Sequence, residues 1–220
     1  MMSKKMNKVV KRSVFFLFVL MFGFLSFGQN KPDFIEIKKN IEDKKSPYFY
    51  ERLLFKFRGM PQAIDSAEAF HLYYGKRFTA HKLSPFGTDF QKFGEKFQQS
   101  KFDDAIKLGE DLHFKDPSNL EVLLLLLQCF ENVQNQNKFM LTLQKFRMVS
   151  ATVLASGAGN TPDSPYLVNT VGEEYVLLNL LKIPFHDYQR FSQASQDGMM
   201  DVWGNGKENI YINVVGYAPE

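Results

Sequence analysis

The sequence predicts an α+β fold, with helices over the first two-thirds of the chain followed by a C-terminal antiparallel sheet. Three observations carry this. Apolar residues recur at helical spacing from Phe34 to Phe146. A stretch dense in Gly, Asn, Asp, Ser and Pro, residues 156–165, then interrupts the pattern and reads as a linker loop. Beyond it, Ile210, Ile212 and Val214 alternate with Tyr211, Asn213 and Val215, as a half-buried strand requires.

Each element follows from its local pattern. Phe34, Ile37 and Ile41 make one stripe of a helix over Pro32–Lys45, with Pro32 in its first turn. Phe49, Leu53 and Phe57 do the same over Tyr48–Arg58, and Gly59-Met60-Pro61 ends it. A third helix spans Ile64–Tyr74 and stops at Gly75. The block Thr88–Val153 holds four more: Phe90, Phe93 and Phe97 line one, and Ala105, Leu108 and Leu112 the next, up to Asp116-Pro117. The leucine run at 123–127 forms a third, and Phe139, Leu143 and Phe146 a fourth. Helix pairs at this spacing, with a small residue at Ala105 and a stop at Pro117, resemble one or two tetratricopeptide hairpins. After the loop, Tyr166–Val171, Tyr175–Ile183, Met199–Trp203 and Ile210–Val215 read as strands, with helix left open for 176–181. Gly204-Asn205-Gly206 joins the last two as a hairpin, because Asn-Gly accepts positive φ.

The first residues carry Lys4, Lys5, Lys8, Lys11 and Arg12 without an acid, and an apolar run from Val14 to Phe27 follows. The run ends at Ser26-Phe27-Gly28, a small-x-small exit, so residues 1–28 read as a cleaved secretory signal peptide. The run is shorter than the roughly 20 residues of a spanning helix, so no stable membrane insertion is expected after cleavage. The product is then periplasmic or secreted. The chain has 27 basic and 24 acidic residues; losing five of the basic ones leaves 22 against 24, a net charge of −2. That balance argues against a nucleic-acid partner, which calls for a surplus of Lys and Arg. Cys129, the one cysteine, lies in the leucine helix and reads as a buried, inert thiol, so no disulfide framework is expected. No Cys follows Gly28 to take a lipid, and no Cys/His set has metal-ligand spacing; neither a metal nor a cofactor is implied.

Four short elements occur in order: His71-Leu72-Tyr73-Tyr74-Gly75, Ser156-Gly157-Ala158-Gly159, Glu174-Tyr175 and Ile210-Tyr211-Ile212-Asn213. In this order the chain resembles the domain-of-unknown-function 4919 family of small secreted bacterial proteins, over nearly all of the mature sequence. The resemblance implies an exported protein of helices followed by strands and brings no activity with it. Two positions depart from the family pattern. Ala158 stands where an acid is usual in the central glycine loop, and Ile212 where Phe is usual. The first removes support for metal binding or acid–base work by that loop.

Among candidate site residues, His71 and Tyr74 share a helical face while Tyr73 points elsewhere. A base beside a phenol suits proton transfer; the alternative has the aromatics in a helix seam and His71 bonded to a backbone carbonyl. Ser156 and its glycines would offer N–H groups to an anion, but a helix precedes and a strand follows, the reverse of a phosphate loop. Nor does Ser156 sit in a nucleophile elbow. Glu173 and Glu174, adjacent on a strand, would face opposite sides, which makes Glu174 an edge or turn residue. With no assembled catalytic motif, the leading reading is a non-catalytic module binding an envelope protein or peptide through a groove of its helical hairpins. The rival is an envelope hydrolase with His71, Tyr74 and Ser156 converging between the helical half and the sheet. Weak binding candidates are His71, Tyr73, Tyr74 and Glu174. The exported protein is expected to begin at Gln29 on N-terminal sequencing; a product that keeps Met1 would remove the signal reading.

Overall fold

The computed structural model describes residues 31–83 and 87–217, so the signal segment read at 1–28 lies outside them. Among the described residues seven α-helices precede the sheet: α1 (Phe34–Glu42), α2 (Tyr50–Gly59), α3 (Ser66–Gly75), α4 (Thr88–Gln98), α5 (Phe102–Lys115), α6 (Leu120–Asn132) and α7 (Gln136–Leu154). Then come β1 (Tyr166–Val168), α8 (Val171–Leu180), β2 (Gln189–Ser195), β3 (Gly198–Gly204) and β4 (Asn209–Val214). The α+β class stands.

Helix ends are set by side chains. Asp33 accepts the N–H groups of Ile35 and Glu36 to start α1, and Asp65 with Glu68 forms a capping box at α3. Asn119, Asn135 and Thr170 cap α6, α7 and α8 in the same way. The two hairpins α4–α5 and α6–α7 share one turn feature. Each turn contains one residue in the left-handed region, Ser100 at φ 57° and Gln134 at φ 56°, which are 34 residues apart. That offset is the tetratricopeptide period.

Gly75 differs from its expected role. Its φ of −69° is right-handed, and the chain runs on through a 3-10 turn at Lys76–Phe78. A Cβ there would lie 2.9 Å from Ile41 Cγ2, so the missing side chain lets α1 rest directly on α3. One core runs through both halves, from Ile37 and Leu53 through Tyr73, Leu123 and Val153 to Leu177, Ile212 and Val214. A second, smaller one holds Phe93, Ala105, Leu112, Leu126 and Phe130 between α4, α5 and α6. Cys129 is buried there, and burial pushes its thiol up to about 11. Helix α6 is therefore covered on both sides, by α5 and α7 and by α8. Among the described residues, no helix is long and apolar enough to cross a membrane.

The sheet requires three corrections. It has the order β1-β4-β3-β2 and is mixed: β2, β3 and β4 are antiparallel, but β1 pairs parallel to β4, with Leu167 opposite Asn213. The segment Tyr175–Ile183, read as a strand with helix left open for 176–181, belongs largely to helix α8, so Glu173 and Glu174 stand in the first turn of a helix. A strand not read from the sequence, β2, forms the outer edge. The loop at 156–165 is also tied down, since Gly159 O accepts from Tyr211 N at 2.8 Å.

Two buried or exposed glycines separate packing from helix propensity. A Cβ at Gly109 would lie 2.7 Å from Leu126 and 2.8 Å from Phe93, whereas one at Gly94 meets nothing. Gly94→Ala is expected to stabilise the fold by up to about 1 kcal/mol. Gly109→Ala gains the same propensity but overpacks the smaller core, at a cost of about 1–3 kcal/mol. Urea unfolding should therefore move the two midpoints in opposite directions.

Candidate functional site

At the junction of the helical half and the sheet, Lys76 is buried with an exposure of 2%. Its ammonium donates to Asp116 Oδ1 at 3.2 Å and to Glu173 Oε1 at 3.2 Å. Lys76 follows α3, Asp116 ends α5, and Glu173 comes from the first turn of α8, so three distant segments meet on one charge. Glu173 is the hub. Its Oε1 also accepts from Leu120 N at the start of α6, and its Oε2 accepts from the Tyr73 hydroxyl at 2.7 Å and from Asn169 N at 3.0 Å. Burial acts against the charge of Lys76, but the two carboxylates outweigh it and raise its pKa. Burial also raises Asp116, opposed by Lys76 and reinforced by Glu173. Burial and the Glu173 charge together lift the Tyr73 phenol well above its usual range.

Asn169, 5% exposed, closes this network from the residue after β1. Its Nδ2 donates to Tyr73 O at 3.0 Å, which fixes the amide's orientation. Its Oδ1 is buried and has no partner among the described residues. A cavity of about 70 Å³ adjoins it, walled by Lys76, Asp116, Thr170 and Gly216 and, at its mouth, by Arg77 and Lys82. Arg77 Nη1 is likewise buried and unpartnered among the described residues. Gly216 permits this wall, because a Cβ there would lie 2.0 Å from Asn169 O.

Arg77 also belongs to a larger, open groove of about 570 Å³ along α1, with Phe34, Ile35, Lys38, Lys39, Phe78 and the Gln196-Asp197 turn. The guanidinium lies 4.3 Å from the centre of the Phe34 ring and 5.3 Å from that of Phe78. Ile35 projects into solvent, 85% exposed.

The residues singled out in the sequence separate. Tyr74 and Ser156 do meet, at the backbone of Leu167. The Tyr74 hydroxyl donates to Leu167 O at 3.1 Å, and Ser156 Oγ accepts from Leu167 N at 2.8 Å while donating to Val153 O at 2.6 Å. Strand β1 is an edge, and these two side chains satisfy the groups it turns away from β4. His71 does not join them: its Nδ1–H donates to Ala67 O at 2.8 Å, its Nε2 accepts from Asn40 at 3.1 Å, and the ring stacks on Tyr48 at 3.9 Å.

Tyr73 belongs to the Lys76 network. Glu174 is fully buried beneath the sheet, not at an edge or turn. It accepts from Arg190 at 2.9 Å and from the Trp203 indole, and Arg190 also binds Asp201 at 2.6 Å. Sequence reasoning missed Lys76, Arg77, Asp116 and Asn169, whose only signal is that Lys76 and Arg77 directly follow the His-Leu-Tyr-Tyr-Gly element.

The chain belongs to the family described as Domain of unknown function (DUF4919), whose model matches residues 35–218. No curated protein and no solved structure matches it.

Removing Lys76 leaves two buried carboxylates against no cation, so Lys76→Met is expected to cost about 3–5 kcal/mol in denaturant unfolding. A smaller loss, like that of a surface pair, would mean the network is not buried in solution. Burial and the neighbouring Glu173 push Glu121 up to about 7 from the ordinary 4.5. A carboxyl raised on folding stabilises the fold while protonated, and this contribution is lost as pH rises through the folded value. Glu121→Gln should therefore gain stability relative to wild type between pH 4.5 and about 7. A difference that stays flat across this range would contradict it.

Proposed function

We propose that this family member is a non-catalytic peptide- or protein-binding module of the bacterial envelope, and that it binds through the open groove along α1. The observation that carries this is the groove's make-up: two aromatic rings and the projecting Ile35 beside Lys38, Lys39 and Arg77, with Glu42 and Asp197 among them. Apolar side chains among charged groups of both signs suit a peptide segment, which buries side chains and satisfies its backbone at the margin. Export rests on the basic and apolar head of the sequence and on the family resemblance. The hydrolase reading has less support, because the Ser156 and Tyr74 oxygens are engaged with backbone groups and His71 is engaged at both ring nitrogens. Binding moves with this proposal from the helical hairpins, whose inner helix is covered, to the groove.

An array of random peptides tethered through their N-termini would test this. Wild-type protein should retain a subset, and Ile35→Glu, a change at an exposed position, should weaken that subset at least about tenfold. Retention that ignores the substitution places binding elsewhere.

A further inference from the structure

We infer that the small cavity at the end of the groove captures the free C-terminal carboxylate of the bound peptide. This rests on the peptide-binding reading and specifies which part of the peptide is recognised. Two residues that wall the cavity each hold an unsatisfied buried polar atom, and the two atoms are of opposite kinds. Asn169 Oδ1 is an acceptor without a donor, and Arg77 Nη1 a donor without an acceptor. Leaving such groups unpaired in a buried site costs free energy that a suitable ligand recovers. A chain terminus supplies both complements at once: the last backbone N–H donates to Asn169, and the carboxylate beside it accepts from Arg77.

Electrostatics select the same end of the peptide. The cavity walls carry Lys76, Arg77 and Lys82 against Asp116. Asp116 is already compensated where it stands, because its two oxygens accept from Lys76 at 3.2 and 3.3 Å and from Leu83 N at 3.4 Å. Lys82 donates to Arg77 O at 3.4 Å and Asp197 lies on the groove side of Arg77, so two cations stand against one acid here; the surplus favours an incoming anion, and a guanidinium suits a carboxylate in particular. Thr170, the cap of α8, adds the positive end of that helix. The space, about 70 Å³, is roomy enough for a carboxylate. The preceding residues continue past Arg77, which walls both spaces, onto Phe34 and Phe78. The favoured ligand is thus a peptide with a free carboxylate and apolar residues just before it.

Two fluorescein-labelled pools of random octapeptides, identical except for a free carboxylate or an amide at the C-terminus, separate the possibilities by fluorescence anisotropy with the purified protein. The acid pool should bind at least about tenfold more tightly, as loss of a charge-assisted contact requires. Arg77→Gln and Lys82→Gln should each narrow that gap, with melting curves reporting that the variants are folded. Lys82→Gln decides the matter if Arg77→Gln, which loses its stacking on Phe34, does not fold. Equal binding of the two pools overturns the carboxylate assignment and leaves the peptide-binding reading intact. No binding by either pool overturns that reading as well. Displacement of the acid pool by free leucine as readily as by unlabelled peptide would make the cavity an amino-acid site and end the assignment to a peptide terminus.

Discussion

The fold depends on one buried positive charge shared between two carboxylates. Lys76, Asp116 and Glu173 have almost no surface exposed to solvent, and each is tolerable only because the others are in place. A buried ion pair gains little over a well-packed apolar cluster, because desolvation offsets most of the attraction. Its effect is on geometry. An apolar contact tolerates sliding, whereas Glu173 must be positioned to accept from Lys76, Tyr73, Leu120 N and Asn169 N together. That requirement fixes the start of α8 against the ends of α3 and α5, the start of α6 and the exit of β1. Helical half and sheet become one unit.

The same constraint produces the cavity. Asn169 is drawn inward because its backbone N–H serves Glu173 and its Nδ2 serves Tyr73 O, which leaves Oδ1 with no role inside the protein. An apolar residue would avoid that unpaired oxygen but could not make the bond to Tyr73. A structural network thus leaves an oriented acceptor at its surface, next to a guanidinium held by aromatic stacking. The chemistry expected of Tyr74 and Ser156 is lost for a related reason. A parallel edge strand turns one residue's N–H and C=O toward no partner, and these two side chains occupy them.

The helices were legible because their stripes recur at 3.6 residues, and the hairpin repeat survives in the matching turns at Ser100 and Gln134. Helix α8 was not. Val176, Leu177 and Leu178 are buried on successive faces, so the helix has no polar side and its sequence reads as a buried strand as well as a helix. Strand β2 failed in the opposite way: Gln189 to Ala194 is exposed on both faces of an edge, and Arg190 with Ser192 shows no apolar alternation. The parallel pairing of β1 was hidden because a partner 46 positions on, Ile212 opposite Tyr166, leaves no local mark. The candidate site had a similar difficulty. Lys76, Asp116 and Asn169 are ordinary helix-end and loop residues in sequence, and only the fold makes them neighbours.

The His-Leu-Tyr-Tyr-Gly element, the most specific mark of the family in the sequence, acquires a physical meaning from its continuation. Within residues 71–78 the chain faces two ways. Tyr73, Tyr74 and Lys76 turn inward to Glu173, Leu167 and Asp116, while Arg77 and Phe78 turn out to the groove. Gly75 lies between the two sets and admits Ile41, which brings α1 and its Phe34 close enough to stack on Arg77. Packing at Gly75 therefore sets the position of the groove wall. The helix seam and the groove cannot vary independently, because one turn of chain builds both.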